Sequence, residues 1–129
     1  MSKWSMTLSV YPYRRDANGD IEWLETPSNF TDLAGLESTR QSFWGSDELK
    51  SLGMSLITTL ANTDIYAEGC ELIRLEKEIK TVKDYLFTLS ESGSASITDK
   101  EITYRMERLS NVSAAIEVAK RYHGGVYIG

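Results

Sequence analysis

The feature that most constrains this fold is a pair of long apolar stripes at helical spacing in the second half of the chain. The first stripe consists of Leu72, Leu75, Ile79, Val82, Leu86 and Leu89. The second consists of Ile102, Met106, Leu109, Val112, Ile116 and Ala119. Intervals of three and four residues place each set on one face of an α-helix. Neither apolar face would be stable if it were exposed to water, so both stripes must pack against other parts of the fold.

The connection between the stripes sets their relative direction. Residues 91–96 form a short loop rich in serine, and Thr98 with Glu101 makes a capping box that starts the second helix. Helices joined by so short a loop form an antiparallel pair. The second helix is expected to stop at the glycine pair Gly124-Gly125, which serves as its C-terminal cap.

A sheet is predicted from the N-terminal segment. Trp4, Met6, Leu8 and Val10 alternate with polar residues, which is the period of a half-buried strand. Pro12 predicts that this strand ends there or lies at an edge. Asn18-Gly19 supplies the positive φ angles of a tight turn, and a short strand with Ile21 and Trp23 returns. The opening unit is therefore a β-hairpin.

The middle and the C-terminus complete the order of elements. A short helix is predicted from Asp32 to Trp44, and a second helix capped by Ser46 would carry Leu49, Leu52, Leu56 and Leu60. Residues 65–68 and 126–128 predict two further strands. The order is ββααβααβ, and we expect one α+β domain over residues 1–129 with a small, mainly antiparallel sheet.

The acidic residues are unevenly distributed. The net charge is −5, and the absence of a long Lys/Arg cluster argues against direct nucleic-acid binding. Residues 16–48 contain eight acidic residues and only one basic residue, Arg40. An acidic run is usually a solvated face, but it can also bind a basic partner, with tryptophans as anchors. The hypothetical partner-binding residues are Asp16, Asp20, Glu22, Trp23, Glu25, Asp32, Glu37, Trp44, Asp47 and Glu48.

Catalytic, cofactor and metal sites are not predicted. Residues 16–27 resemble a calcium loop only in the first positions, because Ile21 and Pro27 replace the glycine and the bidentate acid that such a loop needs. Cys70 and His123 could form a nucleophile and base, but the sequence provides no third group to orient them. A terminal packing role for Cys70 is the commoner interpretation.

Several stretches resemble a known class of protein. They are residues 35–40, 43–46, 64–69 and the C-terminal 124–129, together with Leu49, Leu52-Gly53, Val112, Ala115-Ile116 and Ala119. Over residues 33–129 the chain resembles small bacterial immunity proteins of polymorphic-toxin and contact-dependent growth inhibition systems. The resemblance implies a non-enzymatic protein that neutralises one cognate toxin domain by occlusion. Such toxins are often basic nucleases, which would suit the acidic segment.

Other expectations follow from the sequence as a whole. An apolar export segment and a membrane-length apolar run are both lacking, and the single cysteine fits a reducing compartment, so we expect a cytoplasmic protein without membrane contact. Homodimerisation by pairing of exposed strand edges stays open. Two other functions also stay open: an acidic phage or plasmid inhibitor of a host nucleic-acid enzyme, and a small enzyme with a hidden pocket.

Overall fold

The computed structural model describes residues 7–93 and 98–129. It has an α+β fold with an antiparallel sheet and two long C-terminal helices, which confirms the predicted class. The elements are β1 (Thr7–Arg15), β2 (Ile21–Trp23), β3 (Leu33–Leu36), α1 (Asp47–Ser51), β4 (Ile65–Glu68), α2 (Cys70–Ser92), α3 (Asp99–Arg121) and β5 (Gly125–Ile128). The predicted strand positions Trp4 and Met6, and the loop positions 94–96, lie outside the described residues.

The C-terminal strand lies inside the sheet, not at its edge. The strand order is β2-β1-β5-β4, and β3 pairs with the N-terminal part of β1. Tyr11 of β1 lies opposite Tyr127 of β5, which in turn lies opposite Tyr66 of β4. β5 therefore has no free edge of its own for pairing with a second copy of the chain. The edge next to β5 is formed by β4.

Pro12 lies within β1, so the prediction that the strand ends there or lies at an edge is wrong. Ser9 exchanges backbone hydrogen bonds with Gly129, on the β5 side. The amide of Val10 points to the other side and donates to the Asp32 carbonyl at 2.7 Å. The nitrogen of Pro12 faces the same side as that of Val10, between the ends of β2 and β3. No ladder bond to β5 is lost there.

The predicted hairpin turn is confirmed. The amide of Gly19 donates to the carbonyl of Asp16 at 3.0 Å. The carboxylate of Asp16 accepts from the amides of Asn18 and Asp20 at 2.8 and 3.0 Å. This aspartate is therefore engaged by the turn that it stabilises.

The predicted helix over residues 32–44 is wrong in its first half. Residues 33–36 form β3, in which Gly35 has φ +121°, and only Arg40–Trp44 forms a single π-helical turn. The second predicted helix is also interrupted. It starts as expected, with the Ser46 hydroxyl accepting from the Leu49 amide at 3.3 Å, but α1 ends at Ser51. Gly53 then has φ +87°, a left-handed conformation that breaks a helix.

A buried carboxylate holds the segment after α1. Glu78 of α2 accepts hydrogen bonds from the amides of Ser55, Leu56 and Ile57, the shortest at 2.8 Å from Ile57. These amides lead into a 3-10 helix, Ile57–Ala61, and have no earlier turn to donate to. The carboxylate therefore caps this short helix from outside.

The two long helices are confirmed and supply a large part of the core. The capping interaction at α3 is present, because the Thr98 hydroxyl accepts from the Glu101 amide at 3.1 Å. The two helices pack on each other, and α3 also packs on β1. The core contains Leu75, Ile79, Val82, Leu86, Leu109, Val112 and Ile116, each nearly or fully buried. Within the described ranges, no helix has both the length and the apolar character needed to cross a membrane.

The helix-capping role predicted for Gly124-Gly125 needs correction. The residue with a left-handed conformation after α3 is His123, with φ 55°, and not a glycine. The glycines instead let β5 approach β1. A Cβ atom on Gly124 would lie 1.8 Å from the Tyr13 carbonyl oxygen, and one on Gly125 would lie 2.7 Å from the Tyr13 hydroxyl. Close strand contact requires glycine at both positions.

Candidate partner-binding surface

Alternation along three strands separates the two faces of the sheet. Leu8 and Val10 of β1, Ile65 and Ala67 of β4, and Val126 and Ile128 of β5 are all buried against the helical layer. The residues between them point the opposite way. We call this opposite surface the aromatic face, and it consists of Tyr11, Tyr13, Trp23, Tyr66 and Tyr127.

The rings of the aromatic face contact one another across four strands. The centroid of the Trp23 ring lies 5.9 Å from that of Tyr11, 6.0 Å from Tyr13 and 5.6 Å from Tyr127, all edge to face. The rings of Tyr66 and Tyr127 lie 4.8 Å apart. Such contacts stabilise the cluster beyond what burial of the rings alone provides.

Two of these rings are open to solvent although the cluster is ordered. Trp23 is 54% exposed and Tyr66 is 49% exposed. Tyr13 lies at the base and is fully buried, with its hydroxyl over the glycine of β5 at position 125. A contiguous aromatic surface of this kind marks a binding site more often than an isolated exposed ring does.

Three carboxylates lie beside the tyrosines of the face. The Tyr127 hydroxyl donates to Oδ2 of Asp64 at 3.1 Å, and burial with this bond raises the pKa of Tyr127 to about 12. Hydrogen bonding with Asp32 is the main reason that the pKa of Tyr11 is raised. Burial raises the pKa of Tyr13 further still, and the nearby Glu68 carboxylate adds to the rise, although the buried hydroxyl makes no hydrogen bond of normal geometry. All three hydroxyls therefore stay protonated at neutral pH.

Two of these carboxylates also bind arginines of the chain. Glu68 accepts from Nε of Arg15 at 3.3 Å, and the Arg15 guanidinium lies 5.7 Å from the centre of the Tyr13 ring. Asp64 accepts from Nη2 of Arg40 at 2.7 Å. The rim of the aromatic face thus carries both charges, arranged around the tyrosine hydroxyls.

Trp44, predicted as a surface anchor, is fully buried, so that prediction is wrong. Its indole Nε1 donates to the carbonyl of Ala34 at 2.9 Å, which ties the π-helical turn to β3. The physical reason is the unexpected strand: β3 places its carbonyl beneath this ring, and the ring fills the core. Trp23, the other predicted anchor, does lie on the surface.

The eight acidic residues that were predicted to bind a partner do not form one surface. Glu22 pairs with Arg14 at 2.8 Å, and this arginine stacks on Tyr122 at the C-terminal end of α3. Glu48 instead accepts from Arg105, near the N-terminal end of the same helix, at 3.3 Å. At 1.5 Å per residue these two positions lie roughly 25 Å apart along the axis. A single acidic patch over residues 16–48 is therefore excluded.

The remaining acids of the segment fall into separate groups. Asp16 and Asp20 are exposed at the hairpin tip, and Glu25 is exposed just after β2. Glu37 pairs with Arg40, and Asp47 is exposed in the first turn of α1. Of all eight, Asp32 is the one that raises the pKa of a tyrosine of the aromatic face, Tyr11.

Cys70 and His123 come to the same end of the sheet. Glu68 pairs with Gly125, so the residues just beyond each strand end are neighbours in the fold. Both are exposed, and the described residues provide no hydrogen bond between them. The part of the chain that the structure describes also contains no cluster of three or more His, Cys, Asp or Glu side chains arranged to hold a metal.

Sequence reasoning missed four of the five aromatic-face residues. A signal was present, because Tyr11 and Tyr13 alternate with buried positions, and Tyr66 and Tyr127 each stand between two apolar residues. That pattern assigns each tyrosine to the face opposite the core. What the sequence did not contain is the strand order that brings β4 and β5 beside β1.

No family model, curated protein or solved structure matches this chain. Function therefore has to be inferred from the surface itself.

Proposed function

We propose that this protein is a cytoplasmic immunity protein that binds a cognate bacterial toxin domain through the aromatic face and blocks it by occlusion. The observation that supports this most is the ordered cluster in which Trp23 and Tyr66 are each about half exposed. Tryptophan and tyrosine are enriched where interfaces gain most of their binding energy. Rings already fixed by their neighbours lose little side-chain entropy on binding.

The chemistry of the face supports binding over catalysis. The tyrosine hydroxyls are held protonated by burial and by neighbouring carboxylates, so they are poor nucleophiles and poor general bases at neutral pH. Two of the three carboxylates are engaged by arginines of the chain. These groups act as fixed hydrogen-bonding and packing elements.

The distribution of charge supports a basic partner. Asp32 lies beside the face, and Asp16 and Asp20 lie exposed at the hairpin tip on the same β1–β2 unit. Exposed acids near a contact surface accelerate association with a basic protein and penalise acidic ones. In this proposal the hairpin acids steer the toxin, and the aromatic face supplies the affinity.

The test is a tagged pull-down from the source strain with three forms of the chain. They are the native protein, the double variant Trp23→Ala/Tyr66→Ala, and a control double variant Ile73→Ala/Phe87→Ala. The control removes two exposed apolar side chains of similar exposure from α2, at 56% and 62%. We expect the native and control forms to capture one stoichiometric, basic, toxin-like protein, and the aromatic-face variant to lose it.

A second step checks the activity of the captured protein. Co-expression of the native chain should restore growth to cells that produce the toxin, and co-expression of the aromatic-face variant should not. Capture of an abundant host nucleic-acid enzyme instead would support the host-inhibitor function. Equal capture by all three forms would contradict the assignment of the aromatic face.

A further inference from the structure

A repeated arrangement on the aromatic face points to the chemistry of the partner group. Three tyrosines of the face each have a carboxylate nearby. Tyr127 donates to Asp64 at 3.1 Å, and Glu68 binds the arginine that lies over the Tyr13 ring. Asp32 is joined to β1 next to Tyr11, because its carbonyl accepts from the Val10 amide at 2.7 Å. The rings belong to adjacent strands of one sheet face. The three pairs therefore provide an internal comparison.

In two of the three pairs, the carboxylate also binds an arginine of the chain. Arg15 binds Glu68 and lies over the Tyr13 ring, with its guanidinium carbon 5.7 Å from the ring centre. Arg40 binds Asp64 at 2.7 Å, while the same carboxylate accepts the Tyr127 hydroxyl. The positive charges of these arginines act on the two tyrosines and partly oppose the rise in their pKa.

The third pair has no such arginine. Asp32 forms no ion pair with any residue in the ranges 7–93 and 98–129. Asp32 is half-buried, which makes an unneutralised carboxylate less favourable there. Trp23 stands beside this pair, with its ring 5.9 Å from that of Tyr11 and more than half exposed.

We propose that the Tyr11–Asp32 pair, with Trp23 as a stacking platform, binds an arginine side chain of the partner protein. The planar guanidinium can lie on an aromatic face while its N–H groups contact a carboxylate, as Arg15 already does beside Tyr13. A lysine ammonium has neither the plane nor the fork for this geometry. The inference rests on the proposed partner-binding function, and it specifies what this face recognises.

The test uses two nine-residue peptides as probes, one of arginine and one of lysine, with equal charge. Each is titrated into the ¹⁵N-labelled chain, and the indole N–H signal of Trp23 is followed by NMR after its assignment with Trp23→Phe. We expect the arginine peptide to shift this signal and to bind about fivefold more tightly than the lysine peptide.

The matched variants are Asp32→Asn and Asp47→Asn, which remove one charge each without changing side-chain size. Asp47 is exposed on α1, away from the aromatic face. We expect Asp32→Asn to abolish the arginine preference and Asp47→Asn to retain it. Matching amide spectra of the two variants outside the substituted site would show that both are folded.

The outcomes separate this inference from the proposed function. Equal binding of the two peptides, or an arginine preference that survives in Asp32→Asn, would overturn the inference. If the toxin is still captured through the aromatic face in that case, the proposed function stands. If the arginine preference is found but no toxin is captured, the inference stands and the proposed function fails.

Discussion

The two faces of the sheet are built from the same strands but differ in what they can contribute. On β4, Ile65 is 4% exposed and packs in the core, whereas its neighbour Tyr66 is 49% exposed on the aromatic face. The inner face is aliphatic and covered by helices, and the outer face is aromatic and bordered by carboxylates. Adjacent residues on one strand can therefore serve stability and recognition separately.

The largest expected difference comes from substituting these two neighbours. Ile65→Ala removes buried methylene and methyl groups from the core and should lower the free energy of unfolding by about 3 kcal/mol. Tyr66→Ala should lower it by less than about 1 kcal/mol, because the ring is half exposed. Urea denaturation followed by circular dichroism measures both. Equal losses would mean that the aromatic face is part of the stabilising core.

A second comparison concerns a buried and a half-buried carboxylate. Glu78→Gln weakens three hydrogen bonds to backbone amides by removing the charge of the acceptor, and it should cost about 2 kcal/mol of unfolding free energy. Asp32→Asn on the aromatic face should cost much less, since that carboxylate has no arginine partner to lose. Chemical denaturation at neutral pH compares the two variants. A larger loss for Asp32→Asn would reverse the roles assigned to the two carboxylates.

The last comparison concerns stability at alkaline pH. Burial and the Asp64 carboxylate raise the pKa of Tyr127 to about 12, whereas an unfolded tyrosine titrates near 10. The folded state therefore keeps a proton that the unfolded state releases. This stabilisation is complete below about pH 10 and is lost as the pH rises towards 12.

Tyr127→Phe tests this effect because it removes the hydroxyl and keeps the ring. Its midpoint of urea unfolding should fall less steeply between pH 10 and pH 12 than that of the native chain. Tyr13 also has a raised pKa, so some slope should remain. Parallel curves for the two proteins would show that burial and Asp64 do not raise the pKa of Tyr127 in the folded state.

The long helices and the hairpin could be predicted from sequence because their signals are local. Apolar periodicity defines α2 and α3, and Asn18-Gly19 defines the turn. The structure of the middle of the chain could not be predicted, because residues 33–36 have apolar spacing that suits either a strand or a helix. Residues 33–36 form a strand because they pair with β1, which lies more than 20 residues away in the sequence.

The candidate site was predictable only in part for the same reason. The number of acidic residues in 16–48 suggests one acidic surface. In the fold, those residues lie at both ends of α3 and at the hairpin tip. Trp23 was identified correctly as exposed, and Trp44 was not, because its burial depends on β3. Strand order, which is non-local, creates the aromatic face.

The most direct test of the central claim is hydroxyl-radical footprinting of the chain alone and in complex with its captured partner. Trp23 and Tyr66 should be oxidised in the free protein and protected in the complex. Phe87, which is 62% exposed on α2, provides an internal control and should be oxidised equally in both. Protection of Phe87 with continued oxidation of Trp23 and Tyr66 would place the partner on the helices and contradict the account.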